Sequence, residues 1–254
     1  MFEKIVKMTS LCVLGAIMAV SSANAAQEAK LIYDDRAKTI LESAYAFLED
    51  EKAFSLDALT VSEDKFKKDD VIEVVKKIHI DLQRPGRLRV SSMDEFMKRI
   101  YYLDGKEFII YDPYHQLYGK IETKNGIDAT LDYLYEKYGI VSPLANLLYS
   151  DLRKRVMPKA RGYYLGRRQV NGRWCHYLLF SDSEKEFQVW IREGAVPLIE
   201  KFTLIDKSDP LRLHSSTTIK WQLERPKEEI FRFPYPQEAS EIPVKVPNEK
   251  GVAR

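Results

Sequence analysis

The strongest constraint on this chain is its alternation. In Val71 to Gln83, Ile78, Ile80 and Leu82 take turns with Lys77, His79 and Asp81, a period of two that sets apolar residues on one face of a strand. Comparable short runs follow at 86–92, 96–103, 106–111 and 116–122, and again at 162–170, 173–181, 187–193, 197–206, 213–224 and 230–233. They total about ten or eleven strands. Asp104-Gly105 and Asn171-Gly172 are expected as two-residue hairpin turns, because such residues accept a left-handed backbone, and Asp112-Pro113 marks another reversal. Short connections of this kind join antiparallel neighbours. The 15 Tyr, 11 Phe and 3 Trp fit the same preference for sheet.

Two stretches break the alternation. From Asp34 to Asp50, Ala37, Ile40, Leu41, Ala44, Tyr45 and Leu48 recur at helical spacing, and so do Ile127, Leu131, Leu134, Tyr135 and Tyr138, with Gly139 as the stop. Pro143 opens a short helix that runs through Leu148. Each long helix carries a single apolar stripe, so it must lie on an apolar sheet face. The expected fold is α+β and mainly antiparallel β: one curled, unclosed barrel with helices across its concave face. A sandwich with peripheral helices is the alternative.

Residues 1–25 read as a unit of another kind. Lys4 and Lys7 precede an apolar stretch from Met8 to Val20, and Ala23-Asn24-Ala25 offers a small-residue cleavage site. This is the pattern of a secretory signal peptide, so the mature protein is expected to be exported. One domain is expected over 26–245, frayed from about Pro243, with a flexible tail at 246–254. Past the leader only Cys175 remains, so no internal disulfide can form, and a small buried thiol is the expectation there.

Candidate chemistry is sparse. His79, His115, His176 and His214 are far apart in sequence, and Cys175 and His176 point to opposite faces of a strand; no metal, cofactor or catalytic residue is expected. A hydrolase built on Cys175 or His176 is the weakest reading. Asp34-Asp35 and Asp69-Asp70 suit a helix start and a turn. Forty Lys and Arg against 38 Asp and Glu give no field for nucleic acid. Locally, however, Arg153, Lys154, Arg155, Lys159, Arg161, Arg167, Arg168 and Arg173 follow the single acid Asp151, with Tyr163, Tyr164 and Trp174 interleaved. In an exported protein such a segment could dock an anionic lipid headgroup or an acidic envelope partner.

Leu82-Gln-Arg-Pro-Gly-Arg-Leu-Arg-Val90, then Tyr101-Tyr-Leu-Asp-Gly-Lys-Glu-Phe-Ile-Ile-Tyr-Asp-Pro113, resembles the core pattern of the LolA/LolB-like periplasmic lipoprotein-carrier superfamily. Ser142-Pro-Leu, Leu147-Leu148 and Phe231-Arg-Phe-Pro234 fit it too. The sequence is more closely similar to an exported bacterial family of unknown function within that superfamily. That likeness rests on Ser142 to Asp151, Val170-Asn-Gly-Arg-Trp-Cys-His176 and Phe187-Gln-Val-Trp-Ile-Arg-Glu-Gly194 with Pro197-Leu198. It runs in order over about residues 36 to 240.

The resemblance implies an apolar hollow that holds acyl chains, and an arginine, here Arg84, that fastens a helical lid by hydrogen bonds. Leu88 and Val90 stand where the carriers use large aromatics, so the lining differs. The expected lining is Ile78, Ile80, Leu82, Leu88, Val90, Ile109, Tyr111, Val189, Ile191, Trp221 and Leu223, faced by Leu131, Leu134, Tyr135 and Tyr138. The leading expectation is a monomeric periplasmic carrier of a hydrophobic ligand, a lipid or an acylated protein. The alternative is an envelope interaction or sensor module that docks through residues 151–173.

Overall fold

The structure, a computed structural model, describes residues 35–67, 70–141 and 144–246. The leader expected at 1–25 lies outside these residues, as do Asp34, Asp69, Ser142, Pro143 and most of the tail expected at 246–254.

Among the described residues, twelve strands form one sheet: β1 (Ala53–Lys67), β2 (Asp70–Gln83), β3 (Arg87–Met93), β4 (Lys98–Leu103), β5 (Glu107–Asp112), β6 (Leu117–Glu122), β7 (Arg161–Val170), β8 (Arg173–Ser181), β9 (Lys185–Arg192), β10 (Ile199–Asp206), β11 (His214–Gln222) and β12 (Ser240–Glu241). Their order across the sheet is β12-β6-β5-β4-β3-β2-β1-β11-β10-β9-β8-β7, so the two end strands do not meet and the barrel is unclosed. Every pairing is antiparallel except the short β12 beside β6. The helices are α1 (Arg36–Asp50), α2 (Gly126–Tyr138) and the single-turn α3 (Leu152–Val156).

Several assignments change, and α3 and β12 have no counterpart in the sequence reading. β1 is absent from the sequence reading, yet its pairing with β2 is the longest in the sheet. Its outer half is rich in Asp, Glu and Lys, poor strand formers, and only Phe54, Leu56 and Ala58 carry the alternation. The strand expected at 230–233 is a 3-10 turn over Glu228–Phe231 that inserts Phe231 fully into the protein. The helix expected from Pro143 to Leu148 is a 3-10 turn at Ala145–Leu147.

The turns share a device. Asp94, Asp104, Asp112 and Asp182 each use Oδ1 to accept from backbone N–H groups two and three residues on. These cap the connections after β3, β4, β5 and β8. Asn171 and Gly172 both have positive φ, the two-residue turn expected of them. Asp104-Gly105 differs: Leu103 pairs with Phe108, so four residues lie between paired positions.

One face of the sheet and the helices enclose the main core. α1 lies over β7, β8 and β9, and α2 approaches β3. Ala37, Leu41, Ala44, Tyr45 and Leu48 of α1 and Ile127, Leu131 and Leu134 of α2 are buried there, and Gly139 closes α2 with a left-handed backbone. A smaller cluster of Ile100, Tyr102, Ile109 and Phe233 sits on the opposite face. The chain after β11 crosses that face, adds β12 to the β6 edge and returns Val244 to the main core. A side chain at Gly119 would take the place of Val244.

Candidate functional site

The concave face is built by cross-strand partners. Ile78, Ile80 and Leu82 of β2 stand beside Leu88 and Val90 of β3, which pair with Leu103 and Tyr101 of β4. Those pair in turn with Phe108 and Ile110 of β5. On the other half, Val189 and Ile191 of β9 lie on the same floor, with Trp221 partly buried against it. Trp221 packs edge-on to Phe54 and donates Nε1–H to the Ile199 carbonyl at 2.7 Å. Leu131, Leu134 and Tyr138 face the floor from α2.

Four residues expected in the lining lie elsewhere. Ile109 and Tyr111 belong to the opposite cluster, because β5 is apolar at both parities and pairing alone decides which set faces inward. Tyr135 is 64% exposed; the buried stripe of α2 runs through Ile127, Thr130, Leu131 and Leu134 and leaves position 135 outside. Leu223 is 37% exposed because β11 ends at Gln222 and the chain leaves the sheet.

Across this face lies the segment 144–157, which seats Leu147, Leu148 and Leu152 in the core. Polar groups fasten it on three sides. Arg84, in the turn between β2 and β3, donates Nη1–H to the Leu148 carbonyl at 2.8 Å, Nη2–H to the Tyr149 carbonyl at 3.0 Å and Nε–H to the Glu51 carbonyl at 3.2 Å. Burial lowers the pKa of this guanidinium, opposed by Asp128, 4.0 Å away, and by Glu49. Glu49 of α1 accepts from the Arg153 backbone N–H and from its guanidinium, each at 2.7 Å. From α2, Asp128 accepts from Ser150 N–H and its hydroxyl, and Asp132 from the Tyr149 hydroxyl and Arg155. The Tyr149 phenol is pushed up to about 12 by burial and by Asp132.

Arg84 stands out in the sequence; Glu49, Asp128, Asp132, Tyr149 and Ser150 do not. The acids sit at ordinary solvent-side positions of helices, where nothing local marks them as partners of a distant segment.

The eight cations of 151–173 do not form one free surface. Arg153 and Arg155 belong to the fastening, and Arg155 also reaches Asp151 at 2.5 Å. Arg167 pairs with Glu193 at 2.5 Å and lies over the Trp174 ring. Arg173 reaches toward Glu200 at 3.8 Å, and Arg168 donates to the Arg167 carbonyl. Arg161 on the edge strand is also engaged. Lys154 and Lys159 are exposed.

The Cys175 thiol is fully buried and pushed up to about 11 by that burial, so it is not a ready thiolate. Burial lowers the pKa of His176, which lies 3.3 Å from the Tyr164 hydroxyl. Among the described residues no three His, Cys, Asp or Glu side chains gather as a metal-ligand set, and no helix is long and apolar enough to cross a membrane.

Several solved structures are similar to this chain. An uncharacterized conserved protein from Thermus thermophilus is 12% identical, with 82% of this chain and 99% of that one covered and a TM-score of 0.46. LprF from Mycobacterium bovis is 9% identical over 76% and 96%, with a TM-score of 0.47. A LolA superfamily protein from Nitrosomonas europaea is 9% identical over 78% and 98%, with a TM-score of 0.37. No curated protein matches the sequence. A family model matches residues 37–245, nearly the whole described chain, and the chain belongs to that family, the predicted periplasmic proteins of DUF2092.

Proposed function

We propose that this protein is a periplasmic carrier that shelters a lipid tail or an acylated protein on its concave face, with residues 144–157 as a lid. The observation that carries the reading is the grip of Arg84 on the Leu148 and Tyr149 carbonyls, directly above an apolar floor. A lid held by hydrogen bonds at its rim and leucines beneath can exchange its partners. Water satisfies the released carbonyls, and an apolar chain takes the place of Leu147, Leu148 and Leu152.

Magnitudes favour a tail of moderate length. Three buried leucines contribute about 5–9 kcal/mol, and each methylene about 0.8 kcal/mol, so about ten methylenes offset the leucines' withdrawal. Tyr45, 4% exposed, packs in the same core beneath the lid.

The test is native mass spectrometry of the protein recovered from the periplasm, combined with displacement of a bound apolar dye by dodecanoate. Copurifying lipid and displaceable dye are expected. In Arg84→Leu, which loses the fastening without leaving a buried charge, dye association should quicken several-fold. Protein that is uniformly empty and takes up no dye defeats the carrier reading.

A further inference from the structure

A pocket lies outside the concave face, at the corner where the β2–β3 turn, the β4–β5 turn and the segment after β11 meet. Its volume is about 330 Å³, within the range of small-molecule sites, and its walls include Gln83, Gly86, Arg87, Gly105, Arg225 and Glu228. The glycines matter here. A Cβ on Gly86 would lie 3.7 Å from the Gly105 Cα, so the two turns meet through bare backbone and leave the pocket to the arginines.

The two guanidinium groups converge. Arg87 Nη1 lies 2.7 Å from the Glu228 carboxylate, and Arg225 Nη2 lies 3.7 Å from the same oxygen. With the Gln83 amide turned so that its oxygen faces them, Arg225 Nη2–H and Arg87 Nη1–H donate to it at 2.6 and 3.1 Å. Each fork therefore uses one nitrogen in these contacts and keeps two more for a further acceptor. The wall carries three cations, Arg84, Arg87 and Arg225, against two carboxylates, Asp104 and Glu228, and Arg225 and Glu228 are both more than half exposed, so an anion can reach them. Of the residues around this pocket the carrier reading uses Arg84 alone, whose guanidinium is engaged with the Leu148 and Tyr149 carbonyls.

We infer that this corner is a phosphate-binding site, taking the phosphate group of a small ester or of a lipid headgroup. Two forks approaching one point match a tetrahedral oxyanion, which presents oxygens to both, better than a planar carboxylate, which one fork satisfies alone. Glu228 then acts as the resident anion that phosphate displaces from the arginines. The space left over accommodates a glycerol-sized substituent.

Titration calorimetry on the whole protein, with inorganic phosphate, glycerol phosphate and acetate, tests this. Binding of both phosphates with a dissociation constant of about 0.1–1 mM is expected. Acetate should bind at least about tenfold more weakly. The double variant Arg87→Gln, Arg225→Gln should lose about tenfold or more in phosphate affinity, since charge-assisted bonds are replaced by neutral ones. Glu228→Gln, at an exposed position, should tighten phosphate several-fold by removing its competitor. Vesicles of phosphatidylglycerol bound in preference to phosphatidylcholine, with glycerol phosphate stronger than inorganic phosphate, identify a headgroup as the source. Equal phosphates and no vesicle preference identify free phosphate. No phosphate binding at millimolar concentration, acetate as strong as phosphate, or affinity unchanged in the double variant and in Glu228→Gln overturns the site.

Discussion

His79 lies on the outer face of the sheet between two acids. Its Nδ1 is 2.7 Å from Asp57 and its Nε2 is 3.1 Å from Asp81, which also accepts from the buried Ser55 hydroxyl at 2.7 Å. The hydrogen bond to Asp81 raises the imidazole to about 9, with burial opposing and Asp57 adding to the rise. Asp81 is held below its ordinary value: burial pushes it up, but the bonds from His79 and Ser55 outweigh that. Because the folded imidazole is more basic than the unfolded one, its contribution is complete below about pH 6.5 and fades as pH rises through 9. Solvent at a ring that is one-third exposed limits this to about 1–2 kcal/mol. Thermal melts should therefore show the melting temperature falling by several degrees between pH 6.5 and 9.5, and His79→Asn should flatten that slope. An equal slope in the variant assigns the pH dependence to other groups. At this scale the sequence is only half legible. Arg84 stands out because a resemblance marks it. Asp57 and Asp81 are two of many acids, and the β5 residues Ile109 and Tyr111 carry no internal mark of which face they take.

The elements show where legibility comes from. Strands with one polar and one apolar parity, such as the inner half of β2, declare both their period and their face. β5 declares its period alone. β1 hides even that, since its outer half is charged and its stability comes from neighbours on both sides. The strap after β11 is read wrongly for a related reason: Phe231-Arg-Phe alternates like a strand, but its partners are side chains of the outer sheet face. Phe233 meets the rings of Tyr102, Tyr111, Tyr118 and Tyr235 at 4.9–5.4 Å. Phe233→Ala should cost about 3 kcal/mol, the usual range for deleting a buried aromatic ring. For a chain of this length that lowers the melting temperature by about 6–12 °C. Calorimetry gives the loss directly. Limited proteolysis should then cut after residue 223, since β12 and Val244 depend on the strap reaching the β6 edge. A variant that melts like the parent means that the strap is held by β12 and Val244 alone.

In the molecule as a whole, two kinds of adhesion are segregated. The sheet is continuous from β12 to β7, and its central pair β1 and β2 is joined by the longest ladder. Opening any central strand therefore breaks pairing on both sides. Residues 144–157 belong to no ladder; they are held by three leucines and by side-chain polar contacts that range from the buried Arg84 to the exposed Arg153, contacts that water can take over once the segment lifts. Such a difference predicts separate opening events. Backbone amides of 145–157 should exchange with solvent at least about a hundredfold faster than those at the centre of β1 and β2, a gap of about 3 kcal/mol in opening free energy. Arg84→Leu should widen the gap by speeding the segment and leaving the sheet unchanged, and Glu49→Gln should act in the same direction through Arg153. Hydrogen exchange read by mass spectrometry resolves both regions in one experiment. If the segment and the sheet instead exchange at one rate, the leucines are an inseparable part of the core. A ligand could then reach the concave face only through global unfolding, which no carrier can undergo on each cycle.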